Sequence, residues 1–300
     1  MSNSPGPTAS AGRAPIGGVL RGLIPPLLAA ALSGVIVWLT WRLFVTTGTG
    51  QLLDNTAWQG SEYGRERLFS VARPVLDLVS MPFLAAAVIA AFVLAALQRR
   101  WSIAIAAVVL LGGANVTTQL LKESLLLRPD LGLTELLTNS LPSGHTTAAA
   151  SVAATALLIA PDRWRGAVAL GGFCYAALTG LGTLIGGWHR PADVLAAYAV
   201  VAFWYFLVES ARTLRWVPLP RGYGDAPPGN ASTWLWWLGG LGGVAALIGG
   251  VLTFTQLPDV ARAGQVLAYL SACAGVVAAA AIATAAMLVM RPHYRPAAFG

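Results

Sequence analysis

The chain has 300 residues, of which 56% are hydrophobic and only 10% are charged, and its mean hydropathy is +0.67. Soluble domains carry about 25% charged residues, so this composition excludes an ordinary water-soluble protein and indicates one whose main solvent is lipid. The net charge of +7 would favour a nucleic-acid partner in a soluble protein. Here the basic residues lie between apolar runs, where they orient a protein in the membrane, so we expect no nucleic-acid partner.

The first 45 residues contain a polar tail followed by an apolar run. Residues 1–18 are rich in Ser, Gly, Pro and Ala, a composition typical of a disordered segment. The apolar run that follows continues to Val45, which is too long for the apolar part of a cleaved signal peptide. We therefore interpret this run as the first membrane span.

Seven further runs approach the roughly 20 apolar residues that a membrane-spanning helix requires. The pattern predicts an all-α polytopic membrane bundle with about eight spans. The fourth and sixth runs are short, which is consistent with loops that sink into the membrane interface. The eight predicted spans are Leu23–Val45, Leu78–Leu97, Trp101–Leu121, Thr146–Ala160, Ala167–Trp188, Val194–Val208, Trp234–Phe254 and Val266–Met290.

Two polar segments divide these runs. Thr46–Asp77 has a partly amphipathic pattern, and either a short helix in the outer interface or a plain loop fits it. Residues 214–232 are rich in Pro and Gly, which is typical of a linker. The predicted organisation is a tail at 1–18, a six-span core at 19–213, a cytoplasmic linker at 214–232, a two-span hairpin at 233–290 and a tail at 291–300.

The two spans of the hairpin are rich in small residues. Gly239 and Gly243 fit the spacing that allows close contact between helices in lipid. This spacing favours packing of the hairpin onto the first six spans, and it also allows a homo-oligomer through the hairpin.

Polar groups within or beside membrane spans are costly and are candidates for function. Three clusters meet this description: one where the third span ends, one where the fourth begins, and one between the fifth and the sixth. Because successive spans cross in opposite directions, all three clusters reach the same face of the membrane. Their residues are Lys122 and Arg128, then Ser143, Gly144 and His145, then His189, Arg190 and Asp193.

The distribution of basic residues predicts the orientation. An even number of spans places both termini on one side, and with cytoplasmic termini eleven of the 19 Lys and Arg residues lie inside and eight outside. Without the three that belong to the polar clusters, the ratio is eleven to five, in agreement with the positive-inside rule. The clusters then face the extracytoplasmic side. The eight outer residues are Arg42, Arg65, Arg67, Arg73, Lys122, Arg128, Arg190 and Arg262.

The residue types of the three clusters fit the transfer of a phosphoryl group. Lys122 and Arg128 supply cationic donors, and a guanidinium suits a phosphoryl group or a carboxylate. Ser143 and Gly144 precede a helix whose unpaired backbone amides attract anions. Of the two imidazoles, one can attack phosphorus while the other protonates the departing oxygen.

Asp193 follows His189 by four residues, one helical turn, so that its carboxylate can fix the tautomer of this imidazole. Simpler interpretations exist: Ser143–His145 could only cap a helix, and His189 and Asp193 could only satisfy each other. Two His and one Asp could also bind zinc, although the accompanying Lys and Arg would repel a cation. The three clusters together favour catalysis without a metal or cofactor.

In their order along the chain, these pieces resemble the phosphatidic acid phosphatase type 2 superfamily of membrane lipid phosphatases. Its motifs are Lys…Arg-Pro, Pro-Ser-Gly-His and Ser-Arg…His-x-x-x-Asp. The stretch Pro142–His145 matches the second motif completely, and His189 with Asp193 matches the end of the third. The six-span block fits the phosphatase core of the family, while the hairpin lies outside it. The resemblance implies that His189 is the nucleophile, Asp193 its orienting residue, His145 the general acid, and Lys122, Arg128, Ser143 and Gly144 the phosphate ligands.

The sequence departs from the family pattern at two places. The family has six residues between its Lys and Arg, whereas Lys122 and Arg128 have five between them, a step that on a continuous helix misses the same face by about 120°. The Ser-Arg pair of the third motif falls at Gly182 and Thr183, so one phosphate-binding arginine is absent. Arg190 is the candidate to replace it; the alternative is an interfacial anchor.

The sequence therefore predicts an integral membrane phosphatase that acts on a lipid phosphate or diphosphate, of the phospholipid or polyprenyl type, at the outer leaflet through a phosphohistidine. Its partners would be the lipid substrate and the bilayer. Three alternatives remain: a lipid-to-lipid phosphoryl transferase, a transporter, and a catalytically weak scaffold, the last suggested by Thr183.

Overall fold

The computed structural model describes residues 16–77, 101–134, 138–215, 217–218, 229–290 and 294–295, together with residues 86, 89, 90 and 93. The second predicted span, Leu78–Leu97, lies outside the described residues apart from these last four positions. Most of the predicted linker and of the two predicted tails is outside them as well.

The described residues form an all-α bundle, as the sequence predicts. Six of the helices are long and apolar enough to cross a membrane. Two short segments, Val217–Pro218 and Tyr294–Arg295, pair in antiparallel fashion. The helices are α1 (Ile16–Thr40), α2 (Gly48–Gly60), α3 (Arg65–Asp77), α4 (Trp101–Leu120), α5 (Gly144–Ile159), α6 (Arg165–Ile185), α7 (Pro191–Arg215), α8 (Gly229–Phe254) and α9 (Arg262–Met290).

Of the two spans that the sequence predicts to be short, the fourth is a short helix in the structure and the sixth is a long one. Helix α5 has 16 residues, whereas α7 has 25, so the prediction of a short sixth span is wrong. The apolar run ends at Val208, but the helix continues because Glu209 and Arg212 pair at 2.7 Å within it. The hydroxyl of Ser210 is likewise satisfied, since it donates to the Phe206 carbonyl.

Helix α7 lies at the centre of the bundle. In the most apolar stretch of α7, 72% of the residues are buried inside the bundle. In the corresponding stretch of α8, which faces outward, 17% are buried. Helix α7 packs against α1, α4, α5 and α9. Small side chains such as Ala196 and Ala197, which have no exposed surface, allow neighbouring helices to approach closely. The N-terminus of α7 carries the third polar cluster, so that the site begins at the most buried helix.

The polar segment Thr46–Asp77, which the sequence left open as helix or loop, is largely helical. The Thr47 hydroxyl accepts a hydrogen bond from Gly50 N and caps α2. A side chain at Gly50 or Gly60 has no space: a Cβ atom would lie 1.8 Å from the Leu43 carbonyl oxygen in the first case and 2.0 Å from that of Gln265 in the second. These two glycines therefore allow α2 to lie directly against the turn Trp41–Val45, which follows α1, and against the start of α9.

The hairpin of α8 and α9 packs onto the rest of the bundle, since α9 contacts α2, α6 and α7 as well as α8. Gly239 and Gly242 face α9, where a Cβ atom would lie 2.6 Å from the Ile282 side chain and 3.0 Å from the Ala274 carbonyl, respectively. Gly243 faces open space. The contacts between α8 and α9 thus use Gly239 but not Gly243.

We expect Gly60→Ala to lower the stability of the protein by about 1–3 kcal/mol, because the added methyl overpacks the contact between α2 and α9. Thermal unfolding in detergent measures the effect as a lower Tm. The matched control is Gly112→Ala, where a Cβ atom meets nothing within 4 Å, and its Tm should be unchanged or slightly higher because Ala favours the helix. Equal Tm values for the two variants would contradict the close contact at Gly60.

Candidate active site

The three polar clusters meet at one end of the bundle. The first follows the end of α4, the second begins α5, and the third fills the turn between α6 and α7. Ser143 N donates to the Asp193 carbonyl at 2.9 Å, and the Ser140 side chain donates to the Asp193 carboxylate. Asn139 Nδ2 lies 3.4 Å from the Lys122 carbonyl. The loop that precedes α5 thus connects the other two clusters.

His189 and Asp193 form a buried pair. His189 Nδ1 lies 3.0 Å from Asp193 Oδ2, and Arg190 N donates to the same oxygen at 3.0 Å. Their side chains are only 8% and 3% exposed. Pro191 begins α7, a position where a missing N–H costs nothing. With Nδ1 facing the carboxylate, Nε2 of His189 is the nitrogen that remains for chemistry.

The backbone of Thr183 holds the turn before His189. Its carbonyl accepts hydrogen bonds from Trp188 N at 3.0 Å and His189 N at 3.3 Å. The Thr183 hydroxyl donates to the Gly180 carbonyl of its own helix, and the side chain has no exposed surface. The turn passes through Gly187 at φ +68°, which favours glycine. Thr183 thus offers no side-chain donor where the family has its arginine.

His145 lies beside the His189 turn. Its ring is 5.3 Å from that of Trp188, with the planes inclined at 46°. Burial, followed by the nearby His189 and Lys122, lowers the pKa of His145 from its usual value. Before it, Ser143 caps α5: its hydroxyl accepts from Thr146 N at 3.4 Å and donates to Thr146 Oγ1 at 3.0 Å. The amide end of α5, which attracts anions, therefore points into the site.

Arg128 reaches the site because the chain leaves the helix before it. Helix α4 ends in a wider turn, Leu121–Leu125, and Leu126 is extended at φ −103°, ψ 109°. The 120° mismatch expected for a continuous helix therefore does not apply. Gln51 of α2 fixes the loop by donating to the carbonyls of Val45 and Pro129 at 2.8 and 3.1 Å.

The side chain of Arg190 contacts α2. Its Nη2 donates to Asn55 Oδ1 at 3.0 Å, and its guanidinium carbon is 5.6 Å from the centre of the Trp58 ring. Arg190 is 8% exposed, and its Nε has no acceptor among the described residues. The pKa of Arg128 is lower than its usual value, first because the residue is partly buried and second because the positive charge of Arg190 lies nearby. Two guanidinium groups thus share one part of the site.

Residues 105–216 match the sequence model of the PAP2 superfamily, the phosphatidic acid phosphatase type 2 superfamily. This segment belongs to that superfamily. The resemblance inferred from the motifs is confirmed, and it supports a phosphatase. The PAP2 segment covers less than half of the chain; α1 to α3 and the hairpin lie outside it. No curated protein and no solved structure matches the chain.

Helix α2, outside the PAP2 segment, contributes residues to the site that sequence reasoning missed. Asp54, Asn55 and Trp58 lie along it, and Trp58 Nε1 donates to the Gly187 carbonyl at 2.8 Å. Arg65, at the start of α3, lies 5.3 Å from the Trp58 ring, and its Nε is buried without an acceptor among the described residues. One signal pointed here: Arg65 and its neighbours violate the positive-inside pattern.

Asp54 carries an unusual carboxyl group. Its Oδ1 accepts from Ala192 N at 3.1 Å, and the residue is 4% exposed. Burial, and then the nearby Asp193 carboxylate, raise its pKa from 3.8 to about 7, against the Ala192 hydrogen bond and the cations of Arg190 and Arg128. We therefore expect Asp54 to change its charge near neutral pH, close to the guanidinium groups of Arg128 and Arg190.

We expect the stability of the protein to fall as the pH rises from about 4 to about 7, because folded Asp54 retains a proton that the unfolded chain releases in this interval. Below about pH 4 and above about pH 7, Asp54 no longer makes the free energy of unfolding depend on pH. In Asp54→Asn, whose amide oxygen can still accept from Ala192 N, the Tm should depend less on pH over the same range. The exposed Asp259 provides the control Asp259→Asn, which should retain the slope of the wild type. If the Tm of Asp54→Asn changes with pH as steeply as that of the wild type, the raised pKa of Asp54 is contradicted.

Proposed function

We propose that the protein is an integral membrane phosphatase that hydrolyses a lipid phosphate or diphosphate through a phosphohistidine at His189. The observation that carries this proposal is the buried His189–Asp193 pair at 3.0 Å, next to His145 and the two guanidinium groups. A carboxylate on Nδ1 raises the nucleophilicity of Nε2 and stabilises the cation that forms when this nitrogen attacks.

In the first step, Arg128, Arg190 and Lys122 hold the phosphate oxygens together with the amides at the start of α5. His189 Nε2 attacks phosphorus, a P–N bond forms, and the bond from phosphorus to the lipid oxygen breaks. The bound phosphate anion favours the protonated form of His145 against the effect of burial. His145 donates this proton to the lipid oxygen, so that the lipid leaves as an alcohol, or as a monophosphate when the substrate is a diphosphate.

In the second step, neutral His145 accepts a proton from water as the water oxygen attacks phosphorus. The P–N bond breaks, and the products are inorganic phosphate, neutral His189 and protonated His145, which is ready for another cycle. Neither step requires an external oxidant, reductant or cofactor. Asp193 stays on Nδ1 of His189 throughout and fixes the ring orientation.

The proposed orientation has both termini in the cytoplasm and the site at the outer leaflet. The support for it is the distribution of Lys and Arg outside the site motifs. A lipid whose chain is in the bilayer could then present its phosphate at the end of the bundle. The phospholipid and polyprenyl classes share this phosphate and differ in the chain.

The nucleophile can be tested by trapping. Wild-type protein incubated with radiolabelled lipid phosphate and quenched in alkali should carry an acid-labile label, and His189→Ala should lose both the label and phosphate release. His145→Asn should lower kcat by roughly 10²–10⁴-fold, the usual loss of a general acid–base residue. His293→Ala, which changes the third histidine of the chain, is the control and should behave as wild type.

Two outcomes would overturn this proposal. Label that persists in His189→Ala would exclude His189 as the nucleophile. Label that passes to an added lipid alcohol, with no free phosphate, would indicate a lipid-to-lipid phosphoryl transferase that uses the same residues.

We expect Arg190 to bind phosphate in place of the arginine absent at Thr183. Arg190→Ala should lower kcat/KM by about tenfold or more, as expected for a lost charged hydrogen bond of about 1.5–3 kcal/mol, and should lower the folded yield far less. Arg190→Lys should recover part of the activity, because Lys keeps the positive charge but lacks the planar pair of N–H donors that a guanidinium presents to a phosphate. Activity equal to that of wild type at equal folded yield would show that Arg190 is only an anchor.

A further inference from the structure

An apolar chamber lies beside the site, between α2, the start of α7 and the hairpin of α8 and α9. Its volume is about 380 Å³, within the range of small-molecule binding sites. Most of the wall comes from the hairpin, which lies outside the PAP2 segment. The large apolar side chains that line it are Phe44, Leu53, Leu195, Leu247, Val251 and Phe254.

The few hydroxyl groups of the chamber are already satisfied. The Thr253 hydroxyl donates to the Gly249 carbonyl at 2.8 Å, and that of Ser271 donates to the Leu267 carbonyl at 2.7 Å. Each of these bonds is internal to its own helix, so neither hydroxyl demands a polar ligand. A hydrocarbon can therefore fill the chamber without breaking a hydrogen bond.

The chamber is continuous with the candidate site. Asp54, Pro191 and Ala192 line it. Pro191 directly follows Arg190, and Asp54 lies in the electrostatic field of Arg190 and Arg128. A cationic region and an apolar cavity thus share a wall, an arrangement that complements a molecule with an anionic head and an apolar chain.

We propose that the chamber binds the hydrocarbon chain of the substrate while its phosphate lies against Arg128 and Arg190. The hairpin, which lies outside the PAP2 segment and forms most of the wall, then takes part in selecting substrates by their chain. This proposal rests on the proposed phosphatase function. The substrate chain comes from a bilayer or micelle that is as apolar as the chamber, so its binding there rests on shape and van der Waals contact. A side chain that occupies part of the chamber should therefore weaken long-chain substrates selectively.

Two glycines of α8 provide the test and its control. Gly250 lines the chamber, and a Cβ atom there meets nothing within 4 Å, so the side chain of Gly250→Leu begins in open space and takes up part of the chamber. At Gly240 a Cβ atom is equally free of contacts, but this residue is exposed and does not line the chamber. Gly240→Leu therefore adds the same side chain to the same helix without obstructing the cavity.

The experiment compares phosphate release from long-chain and short-chain substrates in detergent micelles. The phospholipid pair is dioleoyl and dihexanoyl phosphatidate, and the polyprenyl pair is undecaprenyl and geranyl phosphate. Comparing the two pairs shows which lipid class the protein prefers. In Gly250→Leu we expect kcat/KM for the preferred long-chain substrate to fall by about tenfold or more, the size of effect that overpacking a filled site produces. The short-chain value should change by less than about twofold, and Gly240→Leu should match wild type on all four substrates.

An equal loss on long and short substrates, or no loss, would overturn the role of the chamber while leaving the phosphatase intact. No phosphate release by wild type from any substrate would instead overturn the proposed function. If Gly250→Leu does not fold, Ala272→Leu fills the chamber from α9, since Ala272 also lines it.

A binding measurement tests the chamber without turnover. Phosphatidate that carries a photoreactive diazirine at the end of one acyl chain is irradiated with His189→Ala protein. We expect labelled peptides from the chamber walls of α8 and α9, and at least about fivefold less label when Gly250→Leu is added. The same labelling with and without Gly250→Leu, or label confined to other helices, would show that lipid chains only coat the outside of the bundle.

Discussion

The carboxylate of Asp193 connects the separate parts of the site. It accepts hydrogen bonds from His189 Nδ1, Arg190 N and the Ser140 side chain, while the carbonyl of the same residue accepts from Ser143 N. One residue on the most buried helix thus holds the loop before α5, the turn after α6 and the imidazole. Because a buried charge left without partners costs roughly 3–5 kcal/mol, these donors depend on one another, and the position of His189 follows from all of them.

Charges of both signs are concentrated around this carboxylate. Asp54 and Asp193 are buried beside Arg128 and Arg190. Helix α2 makes the arrangement possible, because its close approach brings Asp54 to Ala192 N and Asn55 to the Arg190 guanidinium. A guanidinium held in place before a ligand arrives loses less conformational freedom on binding. The segment before the PAP2 segment therefore contributes Asp54 and Asn55 to the candidate site.

The departures from the family pattern have different structural consequences. The short spacing between Lys122 and Arg128 does not produce the helical mismatch, because the chain is already extended at Leu126. The change at Thr183 removes a cation but keeps the turn, since the hydrogen bonds that support His189 come from the Thr183 backbone. A hydrogen bond made by the backbone is kept when the side chain changes. The positive charge of the absent arginine would have to be supplied by another residue, and Arg190 is the nearest candidate along the chain.

Local patterns in the sequence were sufficient for the all-α class, most of the spans and the three polar clusters, because hydropathy and motif spacing act over one or two helical turns. They misjudged the length of α7, since hydropathy does not register that Glu209 and Arg212 neutralise each other. They also missed Asp54, whose burial depends on a partner 138 residues away. The sequence by itself determined which segments prefer lipid and which residue types meet at the helix ends. Only the tertiary structure decided the place of α2, the direction of Arg190 and the chamber under the hairpin, because each depends on close packing between helices that are distant along the chain.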